Sequence, residues 1–196
     1  MARFDQLIQL KALQEYIKEE GFKEPTDVQN KAIPELLKGE SLVCTAQTGT
    51  GKTLAYVLPL VQLLKKAEAD KTFDPSLASA PAAIILCPTR ELASQVFGIL
   101  KRISHFAKFR VRLLSGGDSS AKTTQMRTGL DVLVAAPSRV RQAIDKGDLN
   151  MKQVKMLYID EADQMLDLGF AKELKKIYEK IEGPCQPVSY THLTLP

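Results

Sequence analysis

One stretch of the sequence has the residue types and spacing that bind phosphate. Residues 46–53 read Ala-Gln-Thr-Gly-Thr-Gly-Lys-Thr, a phosphate-binding loop whose first position holds alanine where glycine is common. Glycines allow successive backbone N–H groups to turn toward phosphate oxygens, and the following helix directs its N-terminal amides at the same charge. We expect Lys52 to reach the β- and γ-phosphates of a nucleotide and the Thr53 hydroxyl to bind Mg²⁺.

The spacing of this loop argues against a simpler interpretation, in which a Gly/Thr turn happens to precede a helix. A short apolar run comes before the loop and a helical pattern of apolar residues follows it. The intact Gly-Lys-Thr spacing between a strand and a helix favours the phosphate site. The predicted nucleotide-contacting residues of the loop are Ala46, Gln47, Thr48, Gly49, Thr50, Gly51, Lys52 and Thr53.

The second set of reactive side chains is the acidic pair Asp160 and Glu161, which directly follows the apolar residues 156–159. Beside a phosphate loop, one carboxylate holds Mg²⁺ directly or through water, and the next orients and deprotonates the attacking water. An isolated Asp-Glu pair is usually a solvated helix start, but the position after a buried strand favours chemistry. We therefore predict Lys52, Asp160 and Glu161 as catalytic residues, with Thr53 and Asp160 as metal ligands.

The elements that must position these residues are strands alternating with helices. This alternation predicts an α/β protein with a parallel sheet covered by helices on both faces. Ligands of such sheets bind outside the carboxyl ends of the strands, which is where each motif falls. Strands are predicted at residues 41–44, 82–87, 110–114, 131–135 and 156–159, and helices include residues 4–20, 91–106, 122–128 and 170–181.

Composition excludes several classes of site. The 196 residues suit one domain, and the net charge of +4 permits a nucleic-acid partner without arguing for one. The three cysteines form no CxxC motif, so a disulfide framework or zinc site is not expected, and the two histidines lie far apart in sequence. The sequence has neither a signal-peptide pattern nor an apolar run long enough to span a membrane, so we expect a cytoplasmic protein.

Six motifs follow one another along the chain: GFKEPTDVQ at 21–29, AQTGTGKT at 46–53, PTRELA at 88–93, the pair Gly116-Gly117, APSR at 136–139 and DEAD at 160–163. In this order they resemble the motifs of the first RecA-like domain of a DEAD-box RNA helicase. The literal DEAD sequence helps to separate this family from its DEAH relatives. The resemblance, which covers residues 4–181, implies a RecA-like phosphate-loop domain, ATP and Mg²⁺ as cofactors, and RNA as the partner.

The resemblance also implies roles for individual residues. Phe22 would pack on adenine, Gln29 would read the adenine edge, and Phe4 stands where the family has a further aromatic residue. Thr26, an expected helix N-cap, joins them in the nucleotide site. An amide with one donor and one acceptor edge suits adenine, although Gln29 could equally be a surface helix residue.

RNA contacts are implied in the same way. They would be made to the backbone and be independent of sequence, since a glycine pair permits close approach and arginine can donate to two phosphate oxygens. Alternatively, Gly116-Gly117 is merely a turn, and Arg90 and Arg139 are solvated surface charges. The residues concerned are Pro88, Thr89, Arg90, Gly116, Gly117, Ser138 and Arg139.

The sequence departs from the family pattern at three places. Ala136 lacks the hydroxyl of the usual Thr-Pro-Gly-Arg motif, and Asp27 replaces a proline of the Gln motif. After Ile181 there is no Ser-Ala-Thr triplet and no second RecA-like domain. We expect a Gln-motif region at 1–30, the ATP-binding domain at 31–182, and an atypical tail at 183–196. That tail would come from a truncated reading frame with foreign or read-through sequence, the alternative being a divergent natural terminus.

Three functions are compatible with these observations. The leading hypothesis is an ATP-dependent RNA helicase, represented here by its ATP-binding domain and nearly inactive as an isolated fragment. A DNA-directed helicase or translocase on the same scaffold is the enzyme alternative. The fragment by itself could instead behave as a nucleotide-binding and RNA-binding module with little turnover.

Overall fold

The computed structural model describes residues 3–47, 49–114 and 129–191. Its centre is a six-stranded sheet in which every pairing is parallel. The order across the sheet is β1-β6-β5-β2-β4-β3. The strands are β1 (Leu42–Thr45), β2 (Ala83–Leu86), β3 (Val111–Leu114), β4 (Val132–Ala135), β5 (Met156–Ile159) and β6 (Gln186–Thr191).

Eight helices lie in the described residues and connect or cover the strands. Because parallel strands need crossover connections, helices separate most of the consecutive strands. Their bounds are α1 (Phe4–Leu7), α2 (Lys11–Glu19), α3 (Asp27–Leu37), α4 (Lys52–Ala69), α5 (Arg90–Ala107), α6 (Pro137–Asp145), α7 (Ala162–Asp167) and α8 (Ala171–Tyr178). Among these helices none combines the length and the apolar composition needed to cross a bilayer.

The central strands bury both of their faces, and alternate residues pack into two separate apolar clusters. On β2, Ala83 and Ile85 join one cluster, whereas Ile84 and Leu86 join the other. The first cluster contains residues of α1 to α5, and the second contains residues of α6 to α8. Continuous burial on both faces explains why this strand reads as an uninterrupted apolar run. The predicted α/β sheet with helices on both faces is therefore confirmed, as are the five predicted strands to within a residue or two.

The prediction of one helix over residues 4–20 is wrong, because the chain is extended between α1 and α2. Ile8 has φ −116° and ψ 118°. The Gln62 side chain accepts hydrogen bonds from the backbone N–H groups of Gln9 (2.7 Å) and Leu10 (3.1 Å). Gln14 donates to the carbonyl of Ile8 at 2.7 Å. These side chains satisfy backbone groups that a continuous helix would otherwise pair, so the helix can stop without an unsatisfied polar group.

The segment predicted to be an atypical tail includes a sixth strand, β6, between β1 and β5. Val188 and Tyr190 are buried at alternate positions, which is the period of a strand. The short helix α7, which begins within the DEAD sequence, was also not predicted. The predictions at 122–128 and at Gly116-Gly117 lie outside the described residues.

Candidate functional site

The phosphate loop connects β1 to α4, as predicted. Gly51 adopts φ 84°, a left-handed conformation that glycine accepts without strain, and α4 begins at the next residue. Lys52 is 9% exposed and its Nζ donates to the backbone carbonyl of Ala46 at 3.0 Å. Thr50 donates through its hydroxyl to the carbonyl of Gln47 at 2.8 Å. The Lys52 side chain therefore reaches back from the end of the loop to its first residue. Thr48 lies outside the described residues.

Gln29 connects the N-terminal motif to this loop. Its side-chain oxygen accepts from the backbone N–H of Thr26 at 3.0 Å, and Nε2 donates to the carbonyl of Gly51 at 3.1 Å. Thr26 caps α3 in return, so its predicted N-cap role is confirmed. A Cβ at Gly51 would lie 2.5 Å from Nε2 of Gln29, so a larger residue there would displace the amide. With Gln29 only 3% exposed, α3 and the loop hold each other in place.

Asp160 lies where β5 ends, and its N–H continues the sheet by donating to the carbonyl of Leu86 at 2.9 Å. Its carboxylate is buried, and Oδ2 accepts a hydrogen bond from the Tyr56 hydroxyl at 2.8 Å. Burial raises the pKa of Asp160, an effect that the Tyr56 hydrogen bond and the charge of Lys52 oppose. Burial lowers the pKa of Lys52, and Asp160 opposes that shift in turn. The two predicted catalytic charges thus act on one another, which supports their placement in one site.

Glu161 takes a backbone conformation that few non-glycine residues adopt, with φ 51° and ψ 54° at the start of α7. A left-handed conformation costs a residue with a Cβ about 1–2 kcal/mol. Such strain is concentrated at functional sites, where the surrounding structure maintains it. Lys71, Ser79 and Lys108 also have positive φ values, of 51–56°, so the role of this carboxylate stays a prediction.

The two aromatic residues assigned to the adenine site lie on one groove of about 460 Å³. Phe4 is buried in the core, whereas Phe22 is 39% exposed and its ring lies 6.5 Å from that of Tyr16. Charged residues, including Arg3 and Lys23, line the same groove. An exposed ring face is what stacking on a base requires, so Phe22 can serve that role while Phe4 shapes the wall.

The residues assigned to RNA follow β2 and β4 at the same edge of the sheet. Thr89 caps α5 by accepting from the N–H of Leu92 at 3.2 Å, Pro88 is buried and Arg90 is exposed. Ser138 is half-buried, and Arg139 donates to Gln142 at 3.0 Å. The arginines are accessible to a phosphate backbone, whereas the Thr89 hydroxyl already serves the helix. Gly116 and Gly117 lie outside the described residues.

Tyr56 is a site residue that the sequence reasoning missed. It lies four residues after Lys52 on α4, so the two side chains share one face of the helix. Its aromatic ring reads as ordinary core, and only the fold brings its hydroxyl to Asp160. The i, i+4 spacing from the loop lysine was the one available signal.

The donor set suits Mg²⁺ held with a nucleotide. Asp160 offers a buried carboxylate and Thr53 a half-buried hydroxyl at the start of α4. Mg²⁺ usually takes one or two carboxylates and completes its shell with phosphates and water. Within the described residues no cluster of three or more His, Cys, Asp or Glu could hold a metal by itself. These residues therefore fit a metal that arrives with phosphate oxygens.

Comparison with known proteins identifies the family. The profile described as DEAD/DEAH box helicase matches residues 26–194. The chain belongs to this family. Among its relatives, "DEAD-box ATP-dependent RNA helicase 39" from Arabidopsis thaliana is 41% identical over 155 residues. "Probable ATP-dependent RNA helicase pitchoune" from Drosophila melanogaster is 40% identical over 163 residues.

The chain corresponds to a part of these DEAD-box proteins. The alignments cover 78% and 82% of this chain but only 24% and 23% of the two relatives. Two solved structures match 92% of the chain: a hypothetical ATP-dependent RNA helicase from Sulfolobus tokodaii (TM-score 0.80, 30% identity) and a DEAD box protein from Methanococcus jannaschii (TM-score 0.77, 32% identity). The match covers 50% and 47% of those chains.

Proposed function

We propose that this chain is the ATP-binding domain of an ATP-dependent RNA helicase. The observation that carries the proposal is that Lys52 of the phosphate loop and Asp160 of the DEAD sequence are both buried and electrostatically coupled at the carboxyl edge of the sheet. A buried cation and a buried carboxylate at that edge suit a polyphosphate with its metal. The relatives named above are DEAD-box or RNA helicases, which supports RNA as the partner.

Each residue of the site has a distinct task. Lys52 exchanges its bond to the Ala46 carbonyl for the β- and γ-phosphates, while the loop amides bind the remaining oxygens. Gln29 reads adenine with its second N–H and the second lone pair of its side-chain oxygen, because the bonds to Gly51 and Thr26 use one of each. Glu161 orients the attacking water and removes its proton.

Thr53 and Asp160 would hold Mg²⁺, which when bound neutralises charge on the phosphates. Asp160 is suited to this because its carboxylate is fixed and largely withdrawn from solvent. The loop supplies the second anchor through Thr53, one residue after the lysine. Metal and nucleotide are therefore expected to bind together.

RNA would bind along the same edge, through Arg90 and Arg139, by contacts to the backbone that do not depend on sequence. A second RecA-like domain would provide the remaining phosphate contacts and close the nucleotide site. We propose that residues 1–30 act as a Gln-motif region and 31–182 as the ATP-binding domain. Phe4 and Ile8 of the first region share an apolar cluster with Tyr56 and Leu58 of the second, so the two fold together. We also propose a cytoplasmic location.

The direct test measures nucleotide binding and hydrolysis separately. Lys52→Ala should abolish or greatly weaken Mg²⁺-ATP binding, because it removes a charge aimed at the phosphates. Glu161→Gln should leave binding within about twofold and, in a protein that joins this chain to its second domain, lower hydrolysis about 10²–10⁴-fold, the usual contribution of a general base. Calorimetry and phosphate release are the measurements.

Equal loss of ATP binding in both variants would contradict this division of roles. Stimulation of the two-domain protein's hydrolysis by DNA as strongly as by RNA would favour the DNA-directed alternative. A chain that binds nucleotide and RNA but shows no stimulated hydrolysis even with its second domain would instead be a binding module.

A further inference from the structure

We infer that Tyr56 is a positioning residue that orients the Asp160 carboxylate toward the divalent cation that accompanies the nucleotide. The inference rests on the proposed function and adds a residue that no motif of the phosphate loop or the DEAD sequence contains. Its basis is the 2.8 Å hydrogen bond from the Tyr56 hydroxyl to Oδ2 of Asp160, which joins residues 104 positions apart in sequence.

The hydrogen bond is buried on both sides. Tyr56 is fully buried and Asp160 nearly so. A phenol hydroxyl that donates to a carboxylate fixes the rotation of the carboxyl group, since Oδ2 must stay on the side of the phenol. In water-excluding surroundings such a contact is stronger and more directional than at a surface. The carboxylate is thus held in one orientation before any ligand arrives.

The phenol is itself held in place. The ring of Tyr56 stacks on Tyr158 of β5, with centroids 5.4 Å apart and planes at 28°. Tyr56 also lies one helical turn after Lys52, so α4 carries both the loop lysine and the group that orients the carboxylate opposite it.

A bond of this kind also has a simpler explanation, in which Tyr56 only satisfies a buried carboxylate during folding. The two explanations differ in what the loss of the hydroxyl changes. A structural role affects stability and every form of nucleotide binding alike. A positioning role affects the dependence on Mg²⁺, because removal of a group that orients a metal ligand typically lowers metal affinity about 10–100-fold.

Tyr158 provides a matched control. It is fully buried on β5, two residues before Asp160, and stacks on the ring of Tyr56. Within the part of the chain that the structure describes, its hydroxyl has no hydrogen-bond partner. Tyr56→Phe and Tyr158→Phe therefore make the same chemical change at neighbouring core positions, and only the first removes a bond to Asp160.

The experiment measures binding of a fluorescent methylanthraniloyl-ATP to the 196-residue chain, first in EDTA and then in rising MgCl₂. We expect Tyr56→Phe to bind the nucleotide in EDTA within about twofold of wild type and to need about tenfold more Mg²⁺ for half of the metal-dependent gain. Tyr158→Phe should match wild type in both measurements. Asp160→Asn should lose most of the gain, and adding Tyr56→Phe to it should change nothing further.

Several results would overturn the inference. If Tyr56→Phe needs no more Mg²⁺ than Tyr158→Phe, or weakens binding equally with and without the metal, Tyr56 has only a structural role. Full additivity of Tyr56→Phe with Asp160→Asn would have the same meaning. A wild-type chain that binds no nucleotide would overturn the proposed function as well. A wild-type chain that binds nucleotide with Mg²⁺ while Tyr56→Phe behaves like Tyr158→Phe would overturn only the inference about Tyr56. Thermal unfolding of each variant identifies any that fails to fold. If the single Tyr56→Phe variant fails, Asp160→Asn is compared with the double variant Asp160→Asn/Tyr56→Phe. An equal Mg²⁺ dependence of these two proteins supports the inference, and a difference between them overturns it.

Discussion

At the scale of single residues, the Gln29 side chain connects the N-terminal motif to the phosphate loop. Its amide already bridges Thr26 and Gly51, and the proposed function adds the edge of adenine. An amide has two N–H donors and two acceptor lone pairs, so four partners are within its capacity. If Gln29 reads adenine as proposed, it would link the base to the phosphate loop, because the contacts to the base and to Gly51 depend on one orientation of the amide.

Gln29→Glu should therefore weaken ATP binding by about 1–3 kcal/mol, the usual value of a bidentate contact to adenine. The substitution replaces the Nε2 donor with oxygen, which would face both the lone pair of adenine N7 and the Gly51 carbonyl. Calorimetry with ATP and GTP separates the two effects, because loss of the loop contact weakens both nucleotides alike. Loss of the bidentate base contact weakens ATP more than GTP, since guanine has an acceptor where adenine has the N6–H₂ donor.

The control is Gln153→Glu, which makes the same change at an amide that donates to the Asp74 carbonyl (2.9 Å). It should leave the ratio of ATP to GTP affinity unchanged. An unchanged ratio in the Gln29 variant, together with weaker binding of both nucleotides, would show that Gln29 supports the loop without reading the base.

At the scale of elements, the sheet must keep its strands in register for the motifs to meet at one edge. Asp131, just before β4, accepts from the backbone N–H (2.7 Å), Nε (3.2 Å) and a terminal nitrogen (2.6 Å) of Arg110, just before β3. Gly129 leaves room for this guanidinium, since a Cβ there would lie 1.7 Å from it. The pair fixes the start of two adjacent strands.

Asp131→Ala should lower the free energy of unfolding by about 2–3 kcal/mol. Removing one partner of a buried ion pair costs about 3–5 kcal/mol, and the partial exposure of Arg110 (35%, against 8% for Asp131) reduces that because water can solvate the remaining charge. Urea unfolding measures the change. The control is Glu179→Ala at the C-cap of α8, where the exposed pair with Lys175 spans 3.9 Å and should contribute less than about 0.5 kcal/mol. Equal effects of the two substitutions would contradict a role of Asp131 in fixing the strands.

At the scale of the whole molecule, the proposed function assigns this chain one side of a nucleotide site that a second domain would complete. Phosphoryl transfer requires positive charge around the transition state, and Lys52 with Mg²⁺ would supply part of it. Arg90 and Arg139 are assigned to RNA. Under the proposed function a second RecA-like domain would add arginines, and an arginine finger contributes roughly 10³–10⁵ in rate where related phosphate-loop enzymes have been measured.

The 196-residue chain should therefore bind adenine nucleotide weakly, hydrolyse it barely and unwind no duplex. RNA affinity should also be low, because under the proposed function a second domain would provide the remaining phosphate contacts. Phosphate release with and without RNA, beside unwinding of a short duplex, tests this expectation. Robust RNA-stimulated turnover by the chain alone would contradict it, and would mean that a second copy of the chain or a residue not assigned here provides the missing charge.

The sequence by itself determined the fold class, the phosphate loop and the acidic pair. Their signals are local: a buried strand reads as an apolar run such as residues 82–87, and a loop that must approach phosphate needs glycines and a lysine at fixed spacing. Because all strands of a parallel sheet run in the same direction, the motifs at their carboxyl ends lie at one edge of the sheet whatever the details of packing.

Only the tertiary structure decided which polar groups pair across long separations. The extended residues between α1 and α2 are stabilised by hydrogen bonds to Gln62, and β6 forms by pairing with β1 and β5. Both contacts join residues far apart in sequence, so the local sequence pattern predicted neither element. The contact of Gln29 with Gly51 and that of Tyr56 with Asp160 arise because helices α3 and α4 pack beside one another and α4 lies over β5. A tyrosine within an apolar helix reads as core from its ring, and the partner of its hydroxyl is fixed by folding alone.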